Sequence, residues 1–534
     1  MQIKRLKSLF GIWLLLVTFS TVPACAAGTR CEELSALKLP ETSITSAQVV
    51  VAGAFTSPAG GSQPVFKDLP EFCRVQAEIK PAKDSDIKME VWLPVNGWNG
   101  KFQGLGNGGY AGSISYAELA AAVKSGYAGA MTDTGHSGSA VSAGWALDHP
   151  EKIIDFGYRA VHEMTVQAKA IVQAFYGNGP KHSYFAGCSN GGRQALMEAQ
   201  RYPADYDGIL AGAPAWNWTH LLAGGAWNAQ ATLAIPGSYI SADKVPVIAS
   251  AVRAACDAQD GVKDGIIADP RKCGFDPATI QCKSGDTNSC LTAEQVVALK
   301  KIYAGAHDAK GKQIYPGFLP GGEEGPGGWT TWTTGMSPGT ALLVLFANGF
   351  YSNMVFDDPQ WDFKTFNFDN GVNLTEQKQG HNLNATDTNL KPFQSRGGKL
   401  IIYHGWSDAA IPPTGAIDYY NSVMAAMGAA DAGPSVRLFM APGVQHCAGG
   451  PGPDNFGQFG YYPATPQGNM RLALEQWVEK GVAPETIIAA KYVNPLDLSA
   501  GTKMTRPLCA WPKMAKYKGS GDVNDAANWE CAKQ

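Results

Sequence analysis

The sequence predicts an α/β fold: a parallel sheet with helices on both faces, interrupted late in the chain by one large insertion. Three observations carry this expectation. Strand-like apolar runs alternate with helical patterns up to about residue 215, the arrangement that buries a parallel sheet between helices. One of those runs, Ser183-Tyr184-Phe185-Ala186, ends in Gly187-Cys188-Ser189-Asn190-Gly191 and passes directly into a helical pattern through Gln194 to Ala199. The alternation then stops near Trp216 and resumes only at Lys399-Leu400-Ile401-Ile402-Tyr403.

Taken in order, the elements begin with a targeting segment. Lys4, Arg5 and Lys7 precede the apolar run Leu9 to Phe19, and Ala24, Ala26 and Ala27 follow. The run is well short of the roughly 20 residues a spanning helix needs, so residues 1–26 read as a secretory signal peptide. Val22-Pro23-Ala24-Cys25 resembles a lipoprotein cleavage box, which makes Cys25 a candidate for lipid attachment. The expected location is secreted or periplasmic, with a lipid-anchored form as the alternative and no other membrane contact. Residues 46–66 read as short strands and turns, and Met89 to Leu93 alternates as a strand. Lys101 to Tyr110 is a strand running into a glycine-rich loop, and Tyr127 to Asp133 is another strand. Ile153 to Tyr176 has helical periodicity, and Tyr206 to Pro214 follows the Ser189 segment as the next strand and its exit. Residues 216–395 are rich in tryptophan, glycine and cysteine, with a few helical patches such as Ala293 to Tyr303. Val436 to Met440 is a further strand and Leu472 begins a helix. The expected division is 27–215 and 396–534 for the two parts of the core, with 216–395 as a lid over one end of the sheet.

Net charge is -3, and no basic block follows the N-terminus, which argues against nucleic acid as a partner. Cysteine usage points to export. Of 11 cysteines, loss or lipidation of Cys25 leaves an even set, enough for five disulfides in an oxidising compartment. Their spacings invite the local pairs Cys31 with Cys73, Cys256 with Cys273, Cys282 with Cys290, and Cys509 with Cys531. Cys188 and Cys447 remain. No C-x-x-C pair is present, so zinc is a weak reading.

G-x-S-x-G between a strand and a helix is a nucleophile elbow. Ser189 then needs a base, and a carboxylate to orient that base, following it in the order Ser, Asp, His. His446 follows the strand Val436 to Met440 through a short loop, and Asp408 lies just past the strand ending at Tyr403. His404, at a strand end, reads as structural. The oxyanion hole requires two backbone N–H groups. Asn190 supplies one, and Gly109, in the loop after an early strand, is favoured for the other. If this triad forms, Cys188 and Cys447 are brought close enough to bond and hold Ser189 and His446 in register. Cys188 itself is a poor nucleophile candidate, because the elbow presents its middle residue.

Asp257, Asp260 and Asp264 lie three or four apart, interleaved with glycines. With the carbonyls of Val262 and Ile266 they offer the oxygen donors a hard cation such as calcium takes; the competing reading is a solvated Asp-Gly turn. The expected ion is structural and remote from the chemistry.

Three segments together resemble the tannase and feruloyl esterase family of secreted α/β-hydrolases, which also includes mono(hydroxyethyl) terephthalate hydrolase. They are Gly187-Cys188-Ser189-x-Gly191-Gly192-Arg193, Tyr403-His404-Gly405-x-Ser407-Asp408, and His446-Cys447-x-Gly449-Gly450-Pro451-Gly452. The resemblance implies an α/β-hydrolase fold with the lid inserted between the nucleophile and acid segments. It also implies a small aromatic ester as substrate and calcium held by Asp257, Asp260, Val262, Asp264 and Ile266. The function it implies is a serine carboxylic ester hydrolase cleaving phenolic-acid esters such as those of ferulate or gallate. A terephthalate-type hydrolase and a secreted serine peptidase are the alternatives. Terephthalate-hydrolysing relatives use an arginine in the lid, and residues 329–361 hold neither arginine nor lysine. Trp329, Trp332, Phe346, Phe350 and Tyr351 are candidates for an aromatic wall, or equally for lid core.

Overall fold

The computed structural model describes Met1 and residues 28–58, 64–494 and 497–533. The expected signal segment beyond Met1, and Cys25 with it, lies outside the described residues. The centre is a nine-stranded sheet formed by β1 (Thr42–Val50), β2 (Phe72–Ile79), β3 (Ile87–Pro94), β4 (Lys101–Leu105), β5 (Ala128–Thr132), β6 (His182–Cys188), β7 (Gly208–Gly212), β8 (Lys399–Gly405) and β9 (Val436–Ala441). Their spatial order is β1-β2-β3-β5-β4-β6-β7-β8-β9.

From β5 to β9 every neighbouring pair is parallel. Alternation along these strands explains why both faces are covered. Phe185, Ile209, Ile402 and Leu438 pack into one buried cluster. Tyr184, Leu210, Ile401 and Phe439, each one residue away, pack into another on the opposite face. Successive side chains on a strand point to opposite faces, and a sheet apolar on both needs helices on both. Val161, Met164, Ala168 and Ile171 of the helix Ala160–Tyr176 cover the first face. Leu474 and Trp477 of the helix Met470–Lys480 cover the second.

The N-terminal edge departs from the expected parallel sheet. β1, β2 and β3 pair antiparallel, and β3 pairs antiparallel with β5. The link from Ile79 to Ile87 is too short for the dozen or more residues of a parallel crossover, so β2 and β3 return as a hairpin. The helical pattern from Ile153 is also divided. A short helix ends at Ile154, a π turn spans Asp155–Arg159, and the long helix begins at Ala160.

β7 and β8 are direct neighbours, with Gly208 opposite Lys399 and Gly212 opposite Tyr403. The chain between them therefore leaves and re-enters the sheet at adjacent strands. It carries the helices Trp218–Leu233, Val245–Cys256, Ala293–Ala304 and Leu342–Phe350. It packs one core around Ile248, Leu299 and Trp329, and a second, around Leu222, Phe350 and Tyr351, that it shares with Tyr110, Ala146 and Phe156 of the preceding chain. Four disulfides are local: Cys31–Cys73, Cys256–Cys273, Cys282–Cys290 and Cys509–Cys531. Among the described residues no helix is long and apolar enough to cross a membrane.

Candidate active site

β6 and the helix Asn190–Arg201 meet at Ser189, whose φ of 66° and ψ of -121° lie where side chains are rarely tolerated. Glycine neighbours make the turn feasible. A Cβ on Gly187 would sit 2.6 Å from the Gly191 carbonyl, and one on Gly106 would sit 2.7 Å from Gly191 Cα. The strand end, the helix start and the loop after β4 thus approach at backbone distance, leaving the serine side chain standing proud of the turn.

Asn190 is fully buried as the first residue of that helix. Arg193, one turn on, donates to Asn190 Oδ1 at 2.8 Å and to the carbonyls of Phe156, Gly157 and Leu383. Its guanidinium lies over the rings of Phe156 and Trp218, and burial pulls its pKa down to about 9. One buried cation therefore ties the elbow helix to the core and to residue 383 of the inserted segment. Gly109 has a φ of 54°, and a Cβ there would meet the Ala140 carbonyl at 2.2 Å. Its loop is fastened to the elbow helix through Gln194: the Asn107 N–H donates to Gln194 Oε1 at 2.9 Å, and Gln194 Nε2 donates to Asn107 Oδ1 at 3.2 Å.

Asp408 and His446 come from the loops after β8 and β9. His446 Nδ1 lies 2.8 Å from Asp408 Oδ2, leaving Nε2 as the ring nitrogen available to a serine. Asp408 is fully buried, and its Oδ1 accepts from the N–H groups of Ala410 and Ile411. Burial alone would raise this carboxyl. The charge of His446 and the hydrogen bonds from His404 and His446 outweigh it and hold the group well below the usual carboxylate range. Ser189, His446 and Gly109 line one pocket, closed otherwise by Ala215, Trp218, Leu221, Leu222, Trp332, Leu343, Phe346, Ala410 and Ile411. Trp332 presents its ring nearly perpendicular to His446 at 5.0 Å.

Of the expected aromatic wall, Trp332 and Phe346 line this pocket. Trp329, Phe350 and Tyr351 are buried in the cores of the inserted segment instead. Trp218, Leu221 and Leu222 were not singled out from the sequence. Their signal is positional, because their helix begins just beyond the exit from β7, at the sheet end where Ser189 stands. Cys188 and Cys447 are disulfide-bonded with Cα atoms 6.0 Å apart.

The acidic loop is tightly turned. Asp257 Oδ1, Asp260 Oδ1 and Asp264 Oδ1 accept the N–H groups of Gly265, Val262 and Ile266 in turn. Asp264 Oδ2 pairs with buried Arg506 at 2.6 Å. Asp260 Oδ2 is buried without a hydrogen-bond partner among the described residues, and its carboxyl is raised by burial and by the charge of Asp264. That orphaned oxygen, beside other carboxylates and backbone carbonyls, fits the donor chemistry of a hard cation. Among the described residues, however, no three acidic, histidine or cysteine side chains already converge on one point. The loop is also less remote from the chemistry than expected. A Cβ on Gly443, three residues before His446, would lie 3.1 Å from Ile266 Cγ2.

Known proteins share this architecture along nearly the whole chain. The family described as tannase and feruloyl esterase matches residues 73–532. An uncharacterized esterase of Xanthomonas campestris pv. campestris is 42% identical, over 98% of this chain and 94% of its own. A protein of Aspergillus flavus named "probable feruloyl esterase B-1" is 34% identical, over 89% of this chain and 88% of its own. The crystal structure of feruloyl esterase B from Aspergillus oryzae superposes with a TM-score of 0.86 at 31% identity, covering 94% of this chain and 99% of that one. With an elbow serine and a buried Asp-His pair at the ends of an α/β sheet, and with matches of this extent, the chain belongs to the tannase and feruloyl esterase family.

Proposed function

We propose that this protein is a serine carboxylic ester hydrolase that cleaves esters of aromatic, phenolic acids through an acyl-enzyme. The observation that carries the reading is the single pocket holding Ser189 and His446, with the Nδ1 of His446 on buried Asp408. Ser189 Oγ attacks the ester carbonyl while His446 Nε2 takes its proton, and Asp408 fixes the imidazole and stabilises its cation. The N–H groups of Asn190 and Gly109 receive the developing oxyanion. His446 then protonates the leaving alcohol, and water activated by the same histidine releases the acid.

The apolar wall of Trp218, Leu221, Leu222, Trp332 and Phe346 supports a flat aromatic acyl group, with affinity coming mainly from buried area. A second, charged carboxylate finds no cation among the lining residues, so a terephthalate half-ester is the poorer substrate. The relatives and structure above are named esterases, which favours ester over peptide cleavage.

The division into core (27–215 and 396–534) and lid (216–395) is part of this reading, with the lid supplying most of the acyl wall. Asp257, Asp260 and Asp264, with the carbonyls of Val262 and Ile266, would hold calcium, which would lock the loop behind His446 without touching substrate. Five disulfides fit an oxidising compartment. We assign residues 1–26 to export, with Cys25 as the point of lipid attachment in an anchored form.

Initial rates on methyl ferulate, methyl gallate, mono(hydroxyethyl) terephthalate and p-nitrophenyl acetate test the proposal, with Ser189→Ala as control. A clear preference for ferulate or gallate, abolished in the variant, is expected. Turnover of p-nitrophenyl acetate alone would overturn the substrate class, and an active variant would overturn the nucleophile.

A further inference from the structure

Asp408 serves two histidines. His404, the next-to-last residue of β8, is fully buried, and its Nε2 lies 3.0 Å from Asp408 Oδ2 and 3.1 Å from the Ile411 carbonyl oxygen. Both partners are acceptors only, so Nε2 carries the hydrogen and the tautomer is fixed by its surroundings. The other ring nitrogen, Nδ1, is buried with no hydrogen-bond partner among the described residues. His446 reaches the same oxygen from the opposite loop, and the Ala410 and Ile411 N–H groups occupy Oδ1. Every strong acceptor direction of the carboxylate is thus in use, and its plane cannot turn without breaking several bonds.

We propose that His404 is a positioning residue of the triad, a buried Nε2–H donor that pins the Asp408 carboxylate and shares the oxygen on which His446 depends. The inference rests on the catalytic reading given above. A carboxylate held by four donors presents His446 with one fixed geometry, so the imidazole stays aimed at Ser189. Tyr403 from β8 and Tyr315 from the inserted segment also feel Asp408: burial and, after it, that charge push both phenols far up, so they stay neutral. Asp408 is the carboxylate shared by both imidazoles.

The test compares His404→Met, which keeps bulk and loses the donor, with His404→Gln, whose amide nitrogen reaches a position close to Nε2. With methyl ferulate, His404→Met is expected to lower kcat by about 10-fold or more with little change in KM, as misorientation of a catalytic group does. His404→Gln should restore most of kcat. An unchanged kcat in the methionine variant, or equal loss in both variants, would overturn the proposal. If neither variant folds, nitrogen-15 histidine spectra of the unaltered protein decide: His404 must hold the Nε2–H tautomer, and an Nδ1–H ring overturns the idea. Labelling of Ser189 by an organophosphate in the unaltered enzyme separates this result from failure of the triad itself, which would show no label.

Discussion

Cys188 and Cys447 join, by one bond, the residue before Ser189 to the residue after His446, across a sequence separation of 259. Closing so long a loop stabilises a protein by about 5.6 kcal/mol in the chain-entropy account, before any strain in the folded state. Replacing both cysteines by serine should lower the melting temperature and also reduce kcat, because the nucleophile and base loops lose their register. Activity and melting curves of the double variant, with no change in either, would remove the registry role.

Ser189 occupies a backbone conformation that costs about 1–3 kcal/mol for a residue with a side chain. Ser189→Ala should abolish turnover with the melting midpoint nearly unchanged. Ser189→Gly should abolish turnover and raise the midpoint, because the strain is released. Calorimetry of the two variants side by side checks this, and a glycine variant no more stable than the alanine one would contradict it.

Asp133 follows β5 and accepts the N–H groups of Lys88 and Gly135 at one oxygen. Burial pushes its pKa up to about 7, against the opposing pull of those two bonds. An acid raised above its unfolded value of about 3.9 binds a proton in the folded state that the unfolded chain has released. Its contribution is therefore most favourable below that value and is lost as pH rises to about 7. Asp133→Asn keeps the acceptor and removes the titration. Denaturant curves should show the variant gaining on the unaltered protein between pH 5 and pH 8, and a constant difference would rule out this linkage.

Chelation should lower the melting temperature, and Asp260→Asn should blunt that response, because Asp260 Oδ2 is buried with no hydrogen-bond partner among the described residues. An ion present at about 100 times its dissociation constant adds about 2.7 kcal/mol. A midpoint unmoved by chelator would leave Asp257 to Ile266 as a plain turn.

Trp332 stands beside His446 and stacks on Phe346 in the acyl wall. Trp332→Ala should raise KM for methyl ferulate about 10-fold or more while changing p-nitrophenyl acetate turnover much less, since a small acyl group does not reach the lost surface. Equal losses on both substrates would place Trp332 in support of His446 rather than in recognition.

The parts of the fold legible in the sequence are those ruled by local spacing. Phe185, Ile209 and Ile402 sit on strands whose apolar runs are buried on both faces, and such runs announce themselves. Gly187 and Gly191 were readable because a sharp strand-to-helix turn leaves no room for a Cβ. The antiparallel edge is not legible from apolar alternation, which marks a strand but not its direction; β2 runs back against β3 because the turn-rich link Lys80 to Asp86 is too short for a crossover. The acyl wall was half read for a similar reason. Trp329 and Trp332 are three residues apart on one short helix, yet one fills a core of the inserted segment and the other lines the pocket that holds Ser189, a choice made by tertiary packing. His404 reads as structural in the sequence, and only its distance to Asp408 gives it a further part.

The pairing of β7 with β8 has a consequence for how such a protein can change over generations. Everything between Gly212 and Lys399 hangs from two neighbouring strand ends, so its length and content are invisible to the register of the sheet. Changes confined to its outer parts leave the pairing of β7 with β8 intact, whereas exchange of the whole segment also removes the Leu383 carbonyl that holds Arg193 and the Phe346 carbonyl that holds Tyr110, and so loosens the elbow helix and the loop beside it.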